Sequence, residues 1–130
     1  MSKEATAFAD LVTSLKALAW LSVYTEAGKA GARSWSLEIS RGDSSYTHHF
    51  GSRRIVNGYN FNLTSPGNTA PSDLSDKLRL IDDAVTNDRR RGGSAQTTIF
   101  DEEGWTVGED EGRESFNIQT SIEIHINEVA

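Results

Sequence analysis

Ser115-Phe116-Asn117-Ile118-Gln119-Thr120-Ser121-Ile122-Glu123-Ile124-His125-Ile126-Asn127 is the stretch on which the fold turns. Phe116, Ile118, Ile122, Ile124 and Ile126 share one parity, with Thr120 in the same register, and polar side chains take the other. Alternation of period two, β-branched residues and no Pro or Gly predict one long β-strand. At about 3.3 Å per residue it would extend roughly 40 Å. A compact chain of this size has a radius of gyration of about 14 Å, so the strand crosses the whole domain. One greasy face and one wet face imply a sheet covered on one side only. The rest of the chain must supply that cover.

The chain has 130 residues, the size of a single domain (1–130) with one core, and no cysteine, so disulfides and thiolate chemistry are excluded. Ala17 to Tyr24, the most apolar N-terminal window, is too short to span a bilayer, and nothing resembles a secretory leader. Cytosolic synthesis is expected. The net charge of −6 is uneven: residues 101–114 hold seven acids and one base, and the remainder balances. One acidic hairpin therefore sets the sign of the molecule, which disfavours non-specific nucleic-acid binding by the chain as a whole.

Ser2 to about Leu21 reads as a helix, with Phe8, Leu11, Val12, Leu15, Leu18 and Ala19 on its apolar stripe and Ser2 or Thr6 as the cap. Beyond Ala17 the pattern is apolar all round. Either the helix end is buried on several sides, or a short strand has begun near Ser22–Thr25. Ala27 to Ala32 reads as a loop, and Trp35 to Ile39 as the first clear strand. Arg41 to Gly51 reads as a polar loop with a turn at Gly42-Asp43-Ser44-Ser45. Arg54 to Thr64 is the next strand, with Tyr59, Phe61 and Leu63 on one face and Gly58 marking a bulge or a close backbone approach. Pro71-Ser72-Asp73 opens a second helix with Ser72 as its cap, and Leu74, Leu78, Ile81 and Val85 form its stripe. Arg89, Arg90 and Arg91 fall at its C-terminus, and Gly92-Gly93 stops it. Short strands follow near Thr97–Phe100 and Trp105–Val107. The expected fold is α+β: a largely antiparallel sheet of four to five strands with two helices packed on one face.

Motifs for chemistry are sparse. Arg41-Gly42-Asp43 spells an integrin-binding tripeptide but reads as a turn, and Asn62-Leu63-Thr64 is a glycosylation acceptor only in a secreted chain. His48 and His49 are adjacent, so on a strand they point to opposite faces and cannot chelate together. No spacing suits a catalytic zinc, no serine sits in a nucleophile elbow, and no phosphate-binding loop is present. The enzyme reading finds no foothold: no catalytic residue, metal or cofactor is expected. Arg89-Arg90-Arg91, with Arg53 and Arg54, is the one basic cluster. Its uses are to stabilise the helix end, to contact phosphate, or to dock on an acidic patch of another subunit. Asp101–Glu114 is either that patch or a solvated turn.

The element order resembles the tail-terminator and tail-completion (head–tail joining) proteins of long-tailed bacteriophages. The residues that carry the resemblance are Arg54–Thr64 followed by Ser72–Val85, then Gly104-Trp105-Thr106-Val107 followed by Glu114–Val129. It implies a virion structural protein, made in the host cytoplasm and housed in the tail or neck. Such a protein forms a ring, usually a hexamer, that caps the tail tube and joins it to the head connector. It implies as partners the tail-tube protein, the head-connector protein and further copies of the chain. It implies no membrane, no cofactor and no sequence-specific nucleic acid, although DNA passes through such a lumen. Ala17–Tyr24 and Gly28–Arg33 match nothing in the family pattern.

The candidate subunit or partner interface comprises Arg53, Arg54, Arg89, Arg90, Arg91, Glu109, Asp110, Glu111, Asn117, Gln119, Glu123 and His125. Asn117, Gln119, Glu123 and His125 form the polar strip of the terminal strand, which is expected at a sheet edge, contacting another chain. The alternative reading is a small acidic binding or inhibitor protein, a phage-encoded antagonist of a host complex, whose acidic hairpin imitates nucleic-acid phosphates.

Overall fold

The computed structural model describes residues 2–26, 34–67, 69–110 and 115–129. Helix α1 spans Lys3–Lys16, with Ser2 extended at its N-cap and Ser2 Oγ accepting from the Ala5 amide at 3.2 Å. Ala7, Leu11 and Leu15, four residues apart, are fully buried, with Phe8 and Val12 flanking them. The helix ends well short of Leu21. Leu21–Tyr24 is strand β1, parallel to the start of β2 (Trp35–His49), which decides between the two readings of this apolar stretch. Trp20 packs edge-on against Trp35, and Lys77 lies over the Trp20 ring at 4.4 Å.

Strands β2 and β3 (Ser52–Thr64) form a long antiparallel hairpin, closed by Phe50 and Gly51, whose φ is +74°. The expected loop between Arg41 and Gly51 is therefore strand. Its residues are polar on both faces, so no alternation betrays them, and Gly42-Asp43 is not a turn but the site of a register shift between Arg41 and Ser44. Gly58 stands opposite: a Cβ there would lie 2.9 Å from the Asp43 carbonyl oxygen. The close approach expected at Gly58 is real.

Helix α2 spans Pro71–Thr86. Its N-cap is Ala70 with no side-chain cap, not Ser72, because Pro71 occupies the first helical position, where its fixed φ and missing N–H suit the helix start. Leu74, Ile81 and Val85 are buried, and Leu78 is half-buried. The arginine triplet lies beyond the helix, and Arg91–Gly93 forms a short 3-10 turn with left-handed φ at all three residues.

Strands β4 (Thr97–Phe100) and β5 (Thr106–Asp110) both pair antiparallel with β6 (Ser115–Val129). The sheet order is β1-β2-β3-β6-β4, with β5 also on β6. On its other side β6 pairs with β3 throughout, from Thr64↔Asn117 to Ser52↔Val129. The terminal strand is central, and its expected position at an edge is corrected. Alternation reports that one face is buried, and a central antiparallel strand alternates as an edge strand does. What the pattern does not disclose is where the two short expected strands pair: β5 lies along Ser115–Gln119 and β4 along Ile122–His125 of β6.

All inward side chains meet in one core: Leu37 and Ile39 from β2, Ile55, Tyr59, Phe61 and Leu63 from β3, and Ile118, Ile122, Ile124 and Ile126 from β6, under both helices. Each aliphatic side chain so buried contributes about 1.5–3 kcal/mol. Among the described residues the architecture is α+β, with six strands, two α-helices on one face of the sheet and no element on the other.

Candidate subunit interface

The hairpin is held to the helical layer by a polar network that the bulge creates. With the register shifted, Arg41 and Ser44, both exposed, stand opposite Tyr59 and Asn57 on the helical side of the sheet, and Arg41 donates to Ser44 Oγ (2.9 and 3.3 Å) and to Asn57 Oδ1 (2.8 Å). Asn57 is wholly buried and donates to Glu4 Oε2 of α1 at 2.9 Å, which also lies 3.4 Å from the Tyr46 hydroxyl. Arg41 stacks over the Tyr59 ring, and Phe8 stacks on Tyr59 at 4.9 Å between centroids. Burial pushes the Tyr59 hydroxyl up in pKa, opposed by Arg41, so it stays a neutral phenol at physiological pH. A cleft of about 720 Å³ opens beside this network, between α1 and Ile39–Arg41. Its one cation, Arg41, is already engaged by Asn57 and Ser44.

Beyond the network the hairpin ends on Phe50, whose side chain is fully exposed, and on exposed His48. Arg53 hydrogen-bonds Glu128 and lies over the Tyr46 ring, and Glu128 raises its pKa further. On the uncovered face, Arg54 donates to His125 Nδ1 at 2.9 Å. Because a guanidinium only donates, Nδ1 is the acceptor and Nε2 carries the proton, which faces Glu123 Oε1 at 3.4 Å. Arg54, His125 and Glu123 thus form a ladder across β3 and β6.

Among the described residues two sheet edges are open. Only Trp35–Glu38 of β2 pair with β1, so no described strand covers Ile39–His49 on that side. No described strand covers the outer side of β4 or β5 either, where Ile99 and Val107 are exposed. Between β4 and β5 the Asp101–Trp105 connection folds inward, and Trp105 Nε1 donates to Asp82 Oδ1 at 2.7 Å. The Gly104 carbonyl accepts from Thr120 Oγ1 at 2.8 Å. Two clefts flank this connection. One, of about 440 Å³, is lined by Glu38, Ser40, Asn60, Asn62, Glu103 and Gln119, among others. The other, of about 340 Å³, is lined by Ile99, Phe100, Asp101, Glu102, Ser121 and Glu123.

Of the residues expected at the interface, Arg54, Glu123 and His125 are brought together, and Gln119 donates to Asn117 at 3.3 Å lower on the same face. Gln119 and Glu123 are exposed, while Asn117 and His125 are half-buried. The arginines do not form one cluster. Arg53 and Arg54 ride the hairpin, whereas Arg89 and Arg90 are exposed after α2, near β4, where Thr98 Oγ1 donates to the Arg89 carbonyl at 2.9 Å. Arg91 is corrected outright: it is 1% exposed and caps the end of α2 by donating to the Val85 carbonyl. Of the acidic turn, Glu109 and Asp110 sit on β5 opposite Phe116 and Ser115, and Glu111 lies outside the described residues. Phe50 and Tyr46 were not foreseen, because the segment that holds them reads as loop. The signal that could have found them is the absence of any acid from Ser44 to Ser72, a span with two arginines and two histidines.

Among the described residues, no three His, Asp or Glu side chains are placed to hold a metal ion. No helix among the described residues is long and apolar enough to cross a membrane. The chain matches no known protein-family model, and no curated protein matches it significantly.

Proposed function

We propose that this chain is a virion structural protein of the tail-terminator type, assembling into a ring that caps the tail tube and joins it to the head connector. The observation that supports the reading is a pair of sheet edges, on opposite sides of one core, that no described strand covers. An unpaired edge is a template for another chain. Ser44–His49 has neither of the residues that most often blunt an edge, Lys or Pro, and its hairpin is braced by the Glu4–Asn57–Arg41 network. Different patches on opposite sides make a heterologous contact, which closes into a ring where the rotation allows. The middle of the uncovered face, with Asn60, Asn62, Gln119 and Ser121, is polar, as suits a ring surface or lumen rather than a second hydrophobic layer.

Light scattering and negative-stain microscopy of the purified protein test this. A closed ring, in solution or on the ends of tail tubes, is expected. A strict monomer that binds a basic host protein through Asp101–Glu114, and never a tube, would replace this reading with that of the acidic antagonist.

A further inference from the structure

Phe50 is the most exposed large apolar side chain described, and Gly51, with its positive φ, turns the chain tightly beneath it. The arm that carries it is not a loose loop. Tyr46 meets Glu4, Arg53 pairs with Glu128, and Arg54 pairs with His125. A braced hairpin that presents an aromatic ring to solvent, with two arginines behind it and no acid in its own span, has the make-up of an interface anchor.

The complementary feature lies on the opposite edge of the sheet, past β6. The cleft of about 340 Å³ has Ile99 and Phe100 for its apolar wall and Asp101, Glu102 and Glu123 for its rim, with no basic residue lining it. Its volume falls within the roughly 300–1,000 Å³ of sites that enclose a compact group, enough for a phenyl ring. The hairpin tip joins β2 to β3, whereas the cleft is formed by β4, the segment after it and β6, so the two lie on different sides of the same sheet.

We infer that the Phe50 tip of one copy docks in the Ile99–Phe100 cleft of a second copy, with Arg54 facing Asp101, Glu102 and Glu123. The contact deepens the ring reading, on which its closure rests, by naming the two surfaces that meet. Because the surfaces differ, each copy uses its tip on one neighbour and its cleft on the other, and the contact is heterologous. The apolar insertion supplies affinity, and the opposed charges set register and reject like-charged orientations.

The test is sedimentation of the full-length protein at low salt, comparing the parent with Phe50→Ser and with the double variant Glu102→Lys/Glu123→Lys. Each variant is expected to weaken self-association at least about tenfold, the loss that removing an interface anchor brings. Raising the salt should weaken the parent's association, as screening of opposed charges requires. Thermal unfolding serves as the folding control, because Phe50 contributes nothing to the core. Mixing the two variants is decisive: neither forms the contact alone, but the intact tip of one fits the intact cleft of the other, so a one-to-one complex is expected. Self-association unchanged in Phe50→Ser, a monomeric parent, or no complex in the mixture would overturn the contact. A parent that assembles through it into open chains, or whose loss leaves tails normal, would instead count against the ring function and leave the contact standing.

Discussion

Arg91 Nη1 lies 3.4 Å from Asp10 Oδ1, joining the turn after α2 to the middle of α1 with a guanidinium that is wholly buried. Burial lowers the Arg91 pKa, and Asp10 and Asp88 oppose that shift. The Val85 carbonyl takes a further hydrogen bond, so one side chain both caps α2 and ties the two helices. Arg91→Met is expected to destabilise the fold by about 3 kcal/mol, because it leaves Asp10 and the helix end without their partner. In denaturant unfolding, the double variant Arg91→Met/Asp10→Leu should lose less than the sum of the two single variants, with a coupling of about 1–3 kcal/mol. Simple additivity would show that the pair is not coupled.

The bulge rests on the contact between Gly58 and Asp43. Gly58→Ala places a methyl 2.9 Å from a backbone oxygen, whereas a Cβ at Gly42 comes only to 3.3 Å of the Gly58 backbone. Gly58→Ala should cost about 1–3 kcal/mol by overpacking, and Gly42→Ala should cost less. The reverse order in thermal or chemical melts would contradict this account of the bulge.

Asn57 is the hub of the hairpin's attachment to α1. Asn57→Ala leaves Glu4 and Arg41 without their shared partner, at a cost of about 2 kcal/mol. Hydrogen exchange is expected to accelerate in β2 from Ser44 to His49 more than in β6. Equal acceleration in both strands would mean that the hairpin has no separate bracing.

Asp82 has its pKa raised by burial, partly offset by the hydrogen bond from Trp105. A carboxyl raised in the folded state binds its proton more tightly there than in the unfolded chain. Its contribution to stability is therefore full below the ordinary value of about 3.9 and falls as pH rises through the folded pKa. Asp82→Asn keeps an acceptor for Trp105 without the charge. The variant should be at least as stable as the parent near neutrality, and its stability should lack that fall. A variant that weakens with pH as the parent does would assign the effect to another group.

The sequence discloses β6 and both amphipathic helices because each rests on a local period: two for Phe116–Ile126, three to four for Ala7–Leu15 and Leu74–Val85. Position in the sheet is not local. That β6 is central depends on β4 and β5, and that Leu21–Tyr24 is strand depends on Trp35–Glu38 lying beside it. The second half of β2 was hidden by polar residues on both faces and by Gly42-Asp43, which has the composition of a turn and serves as a bulge. Arg91 was indistinguishable from Arg89 and Arg90 because its burial is decided by Asp10, a residue of a different helix.

Electron microscopy of particles assembled without this chain tests the central claim most directly. On the tail-terminator proposal, deletion of its gene gives tail tubes of uncontrolled length and heads without tails, and supplying the protein in trans restores joined particles of fixed tail length. Joined, infectious particles of normal tail length in its absence would contradict the account.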